Sequence, residues 1–178
     1  TVKNIIENNV LGKLQLIRSS LWSGMRVYSA SQEKTGAYSL IHDGTHLVDI
    51  VHYLLGKRLK SPTVSNIVRD EEKSIRQAEV NYLTSNNIAI SLTFSGQCKY
   101  FGCDLELRFS EGRILIGNGM FSVETKKESP YYSGFFSLLK NNRYKPAKKS
   151  GYFSNMVQNA VDFLDGNATL ISTLDDGI

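Results

Sequence analysis

The chain is poor in residues that carry ready-made chemistry. Among its 178 residues there are two cysteines, Cys98 and Cys103, three prolines and one tryptophan. Two thiols cannot make a disulfide scaffold, and a lone Cys-x4-Cys without a second pair is a poor zinc pattern. No Pro- or Gly-rich linker divides the sequence. There is no run of 18 or more apolar residues and no basic, apolar leader, so neither a membrane span nor a secretory signal is expected. Those absences imply a reducing, cytoplasmic setting with no membrane partner. Also absent is a strand followed by Gly-x-Gly-x-x-Gly opening a helix, the turn that seats a dinucleotide's phosphates. Gly117-Asn118-Gly119 continues as Met120-Phe121-Ser122, so the third glycine is missing and the context is strand-like.

The formal net charge is +4 and the sequence pI is near 9.0. The late basic residues Lys140, Arg143, Lys145, Lys148 and Lys149 are interleaved with Tyr144 and Tyr152. A nucleic-acid surface would place such groups on one face with stacking rings. No recognised nucleic-acid module accompanies them, so a solvated loop is expected and no nucleic-acid partner. A hydrophobic content of 41% is enough for one sizeable core, and residues 1–178 read as one domain.

What the chain does have is concentrated in one stretch, Leu40 to Gly56. At about 100° per residue, His42, His46, Asp49 and Tyr53 share one sector of a helix. Leu47, Val48, Val51, Leu54 and Leu55 form the opposite, core-facing stripe. Gly56 is placed to stop the helix. Imidazoles and carboxylates on the wet side are the groups that move protons near neutral pH. The same spacing suits a metal, with His42 and His46 four apart and Asp49 as third ligand. By geometry alone the two readings stand level.

Hydrophobic period supplies the architecture. Val2 to Val10 predicts a short helix and Leu14 to Trp22 a strand. Strand-like runs follow the motif helix at Thr63–Val68, Ile75–Leu83, Ile88–Phe94, Tyr100–Phe109, Arg113–Ile116 and Met120–Thr125. The short links Ser85-Asn86-Asn87 and Ser110-Glu111-Gly112 make hairpins. The fold class is therefore α+β, a mostly antiparallel open sheet with helices packed on one face. Tyr131 to Lys149 reads as a long loop with a single helical turn. The outward set, Ala89, Ser91, Thr93 and Ser95 with Glu106 and Arg108, is small and polar but not highly charged, compatible with a packed interface.

The order acidic residue, Gly, Thr, His, two apolar residues, Asp and an apolar run ending in Leu-Gly resembles a signature of the glucose–fructose oxidoreductase and inositol dehydrogenase group (Gfo/Idh/MocA). The likeness extends along the chain. Val2 to Leu14 is similar to that family's helix, Leu-Gly-Lys turn and first strand. Phe109-Ser110-Glu111-Gly112-Arg113-Ile114 resembles its Ser-Glu-Gly-Arg-Ile hairpin, and Phe153 to Gly166 its late helix.

This resemblance implies the C-terminal substrate-binding and oligomerisation domain of an NAD- or NADP-dependent oxidoreductase. The dinucleotide-binding domain, with its glycine-rich turn and Glu-Lys-Pro lysine, is absent from this chain. Lys145-Pro146 follows Tyr144 and comes too late to replace it. The implied reaction is hydride transfer between NAD(P) and a hydroxyl carbon of a sugar or polyol, and this chain alone should be inactive. His46 matches the family's catalytic histidine. The family often has an acid four residues earlier, where this chain has His42, with Asp43 one position later. Either His42 takes that place, or Asp43 caps the helix by accepting a backbone N–H near Thr45 or His46. Asp49 could orient the imidazole or hold a hydroxyl. Arg26, Lys99 and Tyr100 are further candidates for substrate contact, and none of the chain's residues is expected to bind the cofactor or a metal. A homo-oligomer, dimer or tetramer, through the outer sheet face is implied as well. The alternatives are a non-catalytic binding relative of the same fold, or a metal-dependent hydrolase or lyase built on His42, His46 and Asp49.

Overall fold

The computed structural model describes residues 2–24, 43–57, 59–71, 73, 75–146 and 151–173. The chain divides into two compact units, Thr1–Tyr144 and Lys145–Ile178. The first holds α1 (Val2–Glu7), β1 (Leu14–Gly24), α2 (Gly44–Leu55), β2 (Thr63–Arg69), β3 (Ile75–Leu83), β4 (Ala89–Ser95), β5 (Gln97–Phe109), β6 (Gly112–Gly117), β7 (Met120–Glu128) and β8 (Phe136–Lys140). The second holds α3 (Tyr152–Leu164).

The eight strands form one sheet in the order β2-β3-β4-β1-β5-β6-β7-β8. All neighbouring pairs are antiparallel except β1 with β4. Strand alternation sorts the sheet into two faces. Ile17, Leu21, Ile90, Leu92, Phe94, Leu105, Leu107, Ile114 and Val123 point inward. They share one core with Ile5 of α1, Leu11, and Leu47, Val51 and Leu54 of α2. The core residues of α2 recur at the helical spacing read from the sequence, and Gly56 stops the helix in the left-handed region (φ +63°). Glycine adopts that conformation without the clash a side chain meets.

The turn into β1 and the β5–β6 hairpin, a hundred residues apart in sequence, interlock. The Ser110 N–H donates to the Lys13 carbonyl (2.9 Å) and the Glu111 N–H to that of Leu11 (3.0 Å). The Lys13 N–H donates in turn to Ser110 Oγ (3.1 Å). Gly12 (φ +78°) sits where a Cβ would strike Ser110 Oγ, and a Cβ on Gly112 would lie 2.7 Å from the Glu124 carbonyl oxygen. Gly12→Ala should therefore destabilise the protein by about 2–3 kcal/mol, adding left-handed strain to the displaced Ser110 bond. Urea unfolding should report a lower midpoint at unchanged slope; an unshifted midpoint would show that the turn relaxes freely.

Two expectations need correcting. The helix expected over Val2–Val10 ends at Glu7, the following turn passing through Asn9 at φ +50°. The expected loop from Tyr131 to Lys149 contains β8, paired to β7 from Glu124↔Lys140 to Glu128↔Phe136. An edge strand that is half exposed on both faces carries no clean period, so its pairing is decided by the neighbouring strand. Lys126 Nζ, 4.7 Å from the Phe136 ring centre, adds a cross-strand cation–π contact.

In the second unit, α3 follows Gly151 (φ +93°), whose carbonyl accepts from Ser154 Oγ (2.9 Å) and the Asn155 N–H (2.8 Å). Asn159 then ties the tail back beside the helix. Its Nδ2 donates to the Thr169 carbonyl (3.0 Å), and its Oδ1 accepts from the Ile171 N–H (2.9 Å).

Candidate functional site

The wet face of α2 carries Thr45, His46, Asp49 and Tyr53, all exposed, opposite buried Leu47, Val51 and Leu54. Asp43 stands at the N-cap position, but its backbone is helical and its side chain makes no capping hydrogen bond. The capping role considered from the sequence is therefore not filled in that form. His42 and Arg26 lie outside the described residues. The third histidine is committed elsewhere: His52 Nε2 accepts the Leu59 N–H (3.0 Å) and ties the segment leaving α2.

That tie helps to orient the helix. Seven residues separate Leu55 from Thr63, where β2 starts beside the final residues of β3. Leu83 of β3 pairs with Ala89, and Ala89 with Leu16 near the start of β1. At the same end, Lys3 of α1 places its Nζ 4.5 Å from the Tyr53 ring centre. The C-terminal turn of α2 thus belongs to the end of the sheet where β1 begins. The opposite end of the sheet is the one where β1 finishes.

At that end β5 is irregular. Trp22 pairs with Gly102 and Gly24 with Gln97, so β5 uses five steps where β1 uses two. The surplus arches out Lys99, Tyr100 and Phe101, three consecutive exposed residues. Bulges of this kind re-aim side chains and occur often beside active sites.

Lys99 and Tyr100 are the two arch residues foreseen in the sequence. A Cβ on Gly102 would lie 3.4 Å from Tyr100 Cε2 and 3.6 Å from Trp22 Cβ, which places the Tyr100 ring with Trp22 on the sheet's outer face. A side-chain hydrogen bond with Cys98, followed by the negative charge of its thiolate form, pushes the Tyr100 phenol above its usual range. Lys99 and Phe101 are exposed on the arch, which leads into the core-facing part of β5. There Cys103, two residues on, packs against the core, and burial followed by the nearby Asp104 charge raises its thiol.

Sequence reasoning passed over Asn118. Pairing of β5 with β6 stops at Asp104↔Gly117, and Asn118 takes over beyond it. Its Oδ1 accepts the Cys103 N–H (3.2 Å) and its Nδ2 donates to the Phe101 carbonyl (3.4 Å). The Gly-Asn-Gly run is thus a hairpin turn whose side chain fastens the arch, and it offers no cradle for a pyrophosphate. Among the described residues no group of three or more His, Cys, Asp or Glu is placed to hold a metal ion.

The outer face is more charged than its β4 residues suggested. Arg113 Nη2 lies 2.7 Å from Glu124, Arg108 Nε 2.6 Å from Glu106, and Arg113 Nη1 3.7 Å from Glu106. These pairs adjoin the small residues Ser91, Thr93 and Ser95 through β1.

Residues 1–115 match the family model described as the GFO/IDH/MocA C-terminal domain. Among solved structures, the chain is similar to a putative NADPH-dependent oxidoreductase from Desulfitobacterium hafniense, with 11% identity, a TM-score of 0.75, and 99% of this chain and 54% of that chain covered. It is also similar to a UDP-N-acetylglucosamine 3-dehydrogenase from Acidithiobacillus ferrooxidans, with 10% identity, a TM-score of 0.69, and 98% and 52% covered. A third is an oxidoreductase from Agrobacterium radiobacter in complex with NAD+, L-tartaric acid and magnesium, with 17% identity, a TM-score of 0.66, and 99% and 54% covered. The chain spans about half the length of these structures, and identities this low establish the shared fold alone. No curated protein matches the sequence significantly.

Proposed function

Because the chain belongs to the GFO/IDH/MocA C-terminal domain family, we propose that it is the substrate-side domain of an NAD(P)-dependent oxidoreductase acting on a hydroxyl carbon of a sugar or polyol. The observation that carries this reading is the exposed His46–Asp49 face of α2, opposite its buried Leu47, Val51 and Leu54. His46 acts as the base that takes the hydroxyl proton on oxidation and returns it on reduction, a task suited to an imidazole near neutral pH. Asp49, one turn further on, orients that imidazole or holds a neighbouring hydroxyl. Lys99 reaches the substrate from the arch, and His42, Asp43 and Arg26 remain candidates for the same site. Tyr100 is a further candidate for substrate contact.

NAD or NADP is held by a separate dinucleotide-binding domain. Titrating the isolated chain with NAD(H) or NADP(H) should accordingly give no saturable isotherm in the physiological range. Tight binding by this chain alone would sink the division of labour.

The outer sheet face is the proposed contact of a homodimer or tetramer in a reducing, cytoplasmic setting that suits two free thiols. Small residues on β4 let a second sheet approach, and the Glu106–Arg113–Glu124 ladder offers self-complementary charge to an isologous partner. Arginine at both Ser91 and Thr93 would bury unpaired like charges and should convert the assembly to monomers in light scattering. If the unsubstituted protein is monomeric at every concentration, this contact is wrong and the catalytic reading is untouched.

A further inference from the structure

In α3 the usual amphipathic arrangement is inverted. Phe153, Met156, Val157, Ala160, Val161 and Leu164 recur at helical spacing and form one apolar stripe. All six are exposed, the larger ones from 43% at Val161 to 80% at Leu164. Within the helix only Asn159 and Asp162, on the polar side, are even half-buried. The chain's own tail lies against them. The Asp162 carbonyl accepts from the N–H groups of Asn167 (2.8 Å) and Ala168 (3.2 Å), and Asn159 holds Thr169 and Ile171. The tail thus satisfies the polar side and leaves the apolar side bare. A 13-residue helix with no buried side chain is marginal in water, so this stripe belongs against another apolar surface.

Charge, area and chain length decide what that surface is. Helices that lie on membranes carry Lys and Arg on the polar side, whereas Tyr152–Leu164 has no basic residue and carries Asp162, followed by Asp165. A stripe about 20 Å long and one helix face wide offers less than the ~800 Å² per partner of a stable interface between separate molecules. A second copy is disfavoured on that ground. Within one protein the covalent link supplies the effective concentration, and domains dock through smaller surfaces. The chain spans about half the length of the similar structures, and the reading above places a dinucleotide-binding domain in the rest.

We propose that the apolar stripe of α3 docks in an apolar groove of that dinucleotide-binding domain and clasps the two domains together. The proposal rests on the oxidoreductase reading above, which supplies the domain. Helices layered on a parallel sheet leave grooves between them that a further helix can enter. The stripe fills such a groove, and the polar side, already tied to the tail, stays outward.

The test is hydrogen exchange, followed by mass spectrometry, on the full-length protein beside a titration with NAD(H) and NADP(H). The amides of residues 152–164 should exchange at least about 100-fold more slowly than an unstructured peptide, at any protein concentration. Met156→Glu should remove most of that protection. It should also expose a segment of the dinucleotide-binding domain, which would not follow if α3 were held only by its own tail. Asn155→Glu puts the same charge on the opposite side of the helix and should leave both segments protected, as should Met156→Leu. Unprotected α3 amides in a protein that binds the cofactor saturably would overturn the docking alone. Protection that fades on dilution would assign the stripe to a second copy, and protection gained only with anionic vesicles would assign it to a membrane. Either result overturns the proposal. Absence of saturable cofactor binding by the full-length protein would remove the domain, and the docking and the oxidoreductase reading would fall together.

Discussion

Replacing His46 with alanine in the full-length protein is expected to lower turnover by about 10²–10⁴-fold, the range lost with a general acid–base group. The side chain is exposed on α2, so its removal leaves no cavity, and the buried stripe Leu47, Val51 and Leu54 on the opposite side is undisturbed. Cofactor affinity should change little, since the proposed reading assigns the phosphates to a separate dinucleotide-binding domain. His46→Gln keeps much of the volume and hydrogen-bonding capacity but cannot accept and hold a proton, and should be about as damaged as the alanine variant. Asp49→Asn should show a smaller loss, because it acts on the imidazole or on a hydroxyl rather than on the reacting proton. Unchanged turnover in both His46 variants would make this residue a solvated surface histidine and end the catalytic assignment.

The parts of the fold that the sequence disclosed are those where local period and burial agree. Ile75–Leu83 was bounded correctly, and Leu14, Met120 and the Gly56 stop fell where expected, because one face of each element meets the core. The turns resembling Leu-Gly-Lys and Ser-Glu-Gly-Arg-Ile were legible as motifs but not as partners. Only the structure shows that Gly12 and Gly112 are small because each turn closes on the other. The illegible parts share a different cause. β8 owes its existence to β7, and the arch in β5 is a mismatch between two strands, which no single-strand pattern contains. Asn118 looked like part of a failed glycine motif, yet its work is to substitute for the β6 backbone against Phe101 and Cys103. The site followed the same division. Helical spacing put His46 and Asp49 on one wet face and left a proton-transfer and a metal reading level, and only the resemblance gave His46 a catalytic role.

Leu107→Ala should be the most damaging single truncation for stability, at about 2–5 kcal/mol. Leu107 is fully buried in β5. It pairs across to Ile17 on β1 and to Ile114 on β6, and both of those side chains are fully buried too. Strands on either side are locked by their ladders, so the gap cannot close by sliding one of them, and the lost methyl contacts add to the transfer free energy. Such a loss is a large part of the total stability of about 5–15 kcal/mol typical of a domain. Leu107→Met, which nearly conserves volume, should cost less than about 1.5 kcal/mol. Arg108→Ala is the adjacent control. Its side chain is half exposed on the other face, and the loss of its pair with Glu106 should cost no more than about 1 kcal/mol. Equilibrium unfolding of the three variants should therefore rank Leu107→Ala far below the others. If Arg108→Ala proved as costly as Leu107→Ala, the two faces of β5 would be assigned the wrong way round.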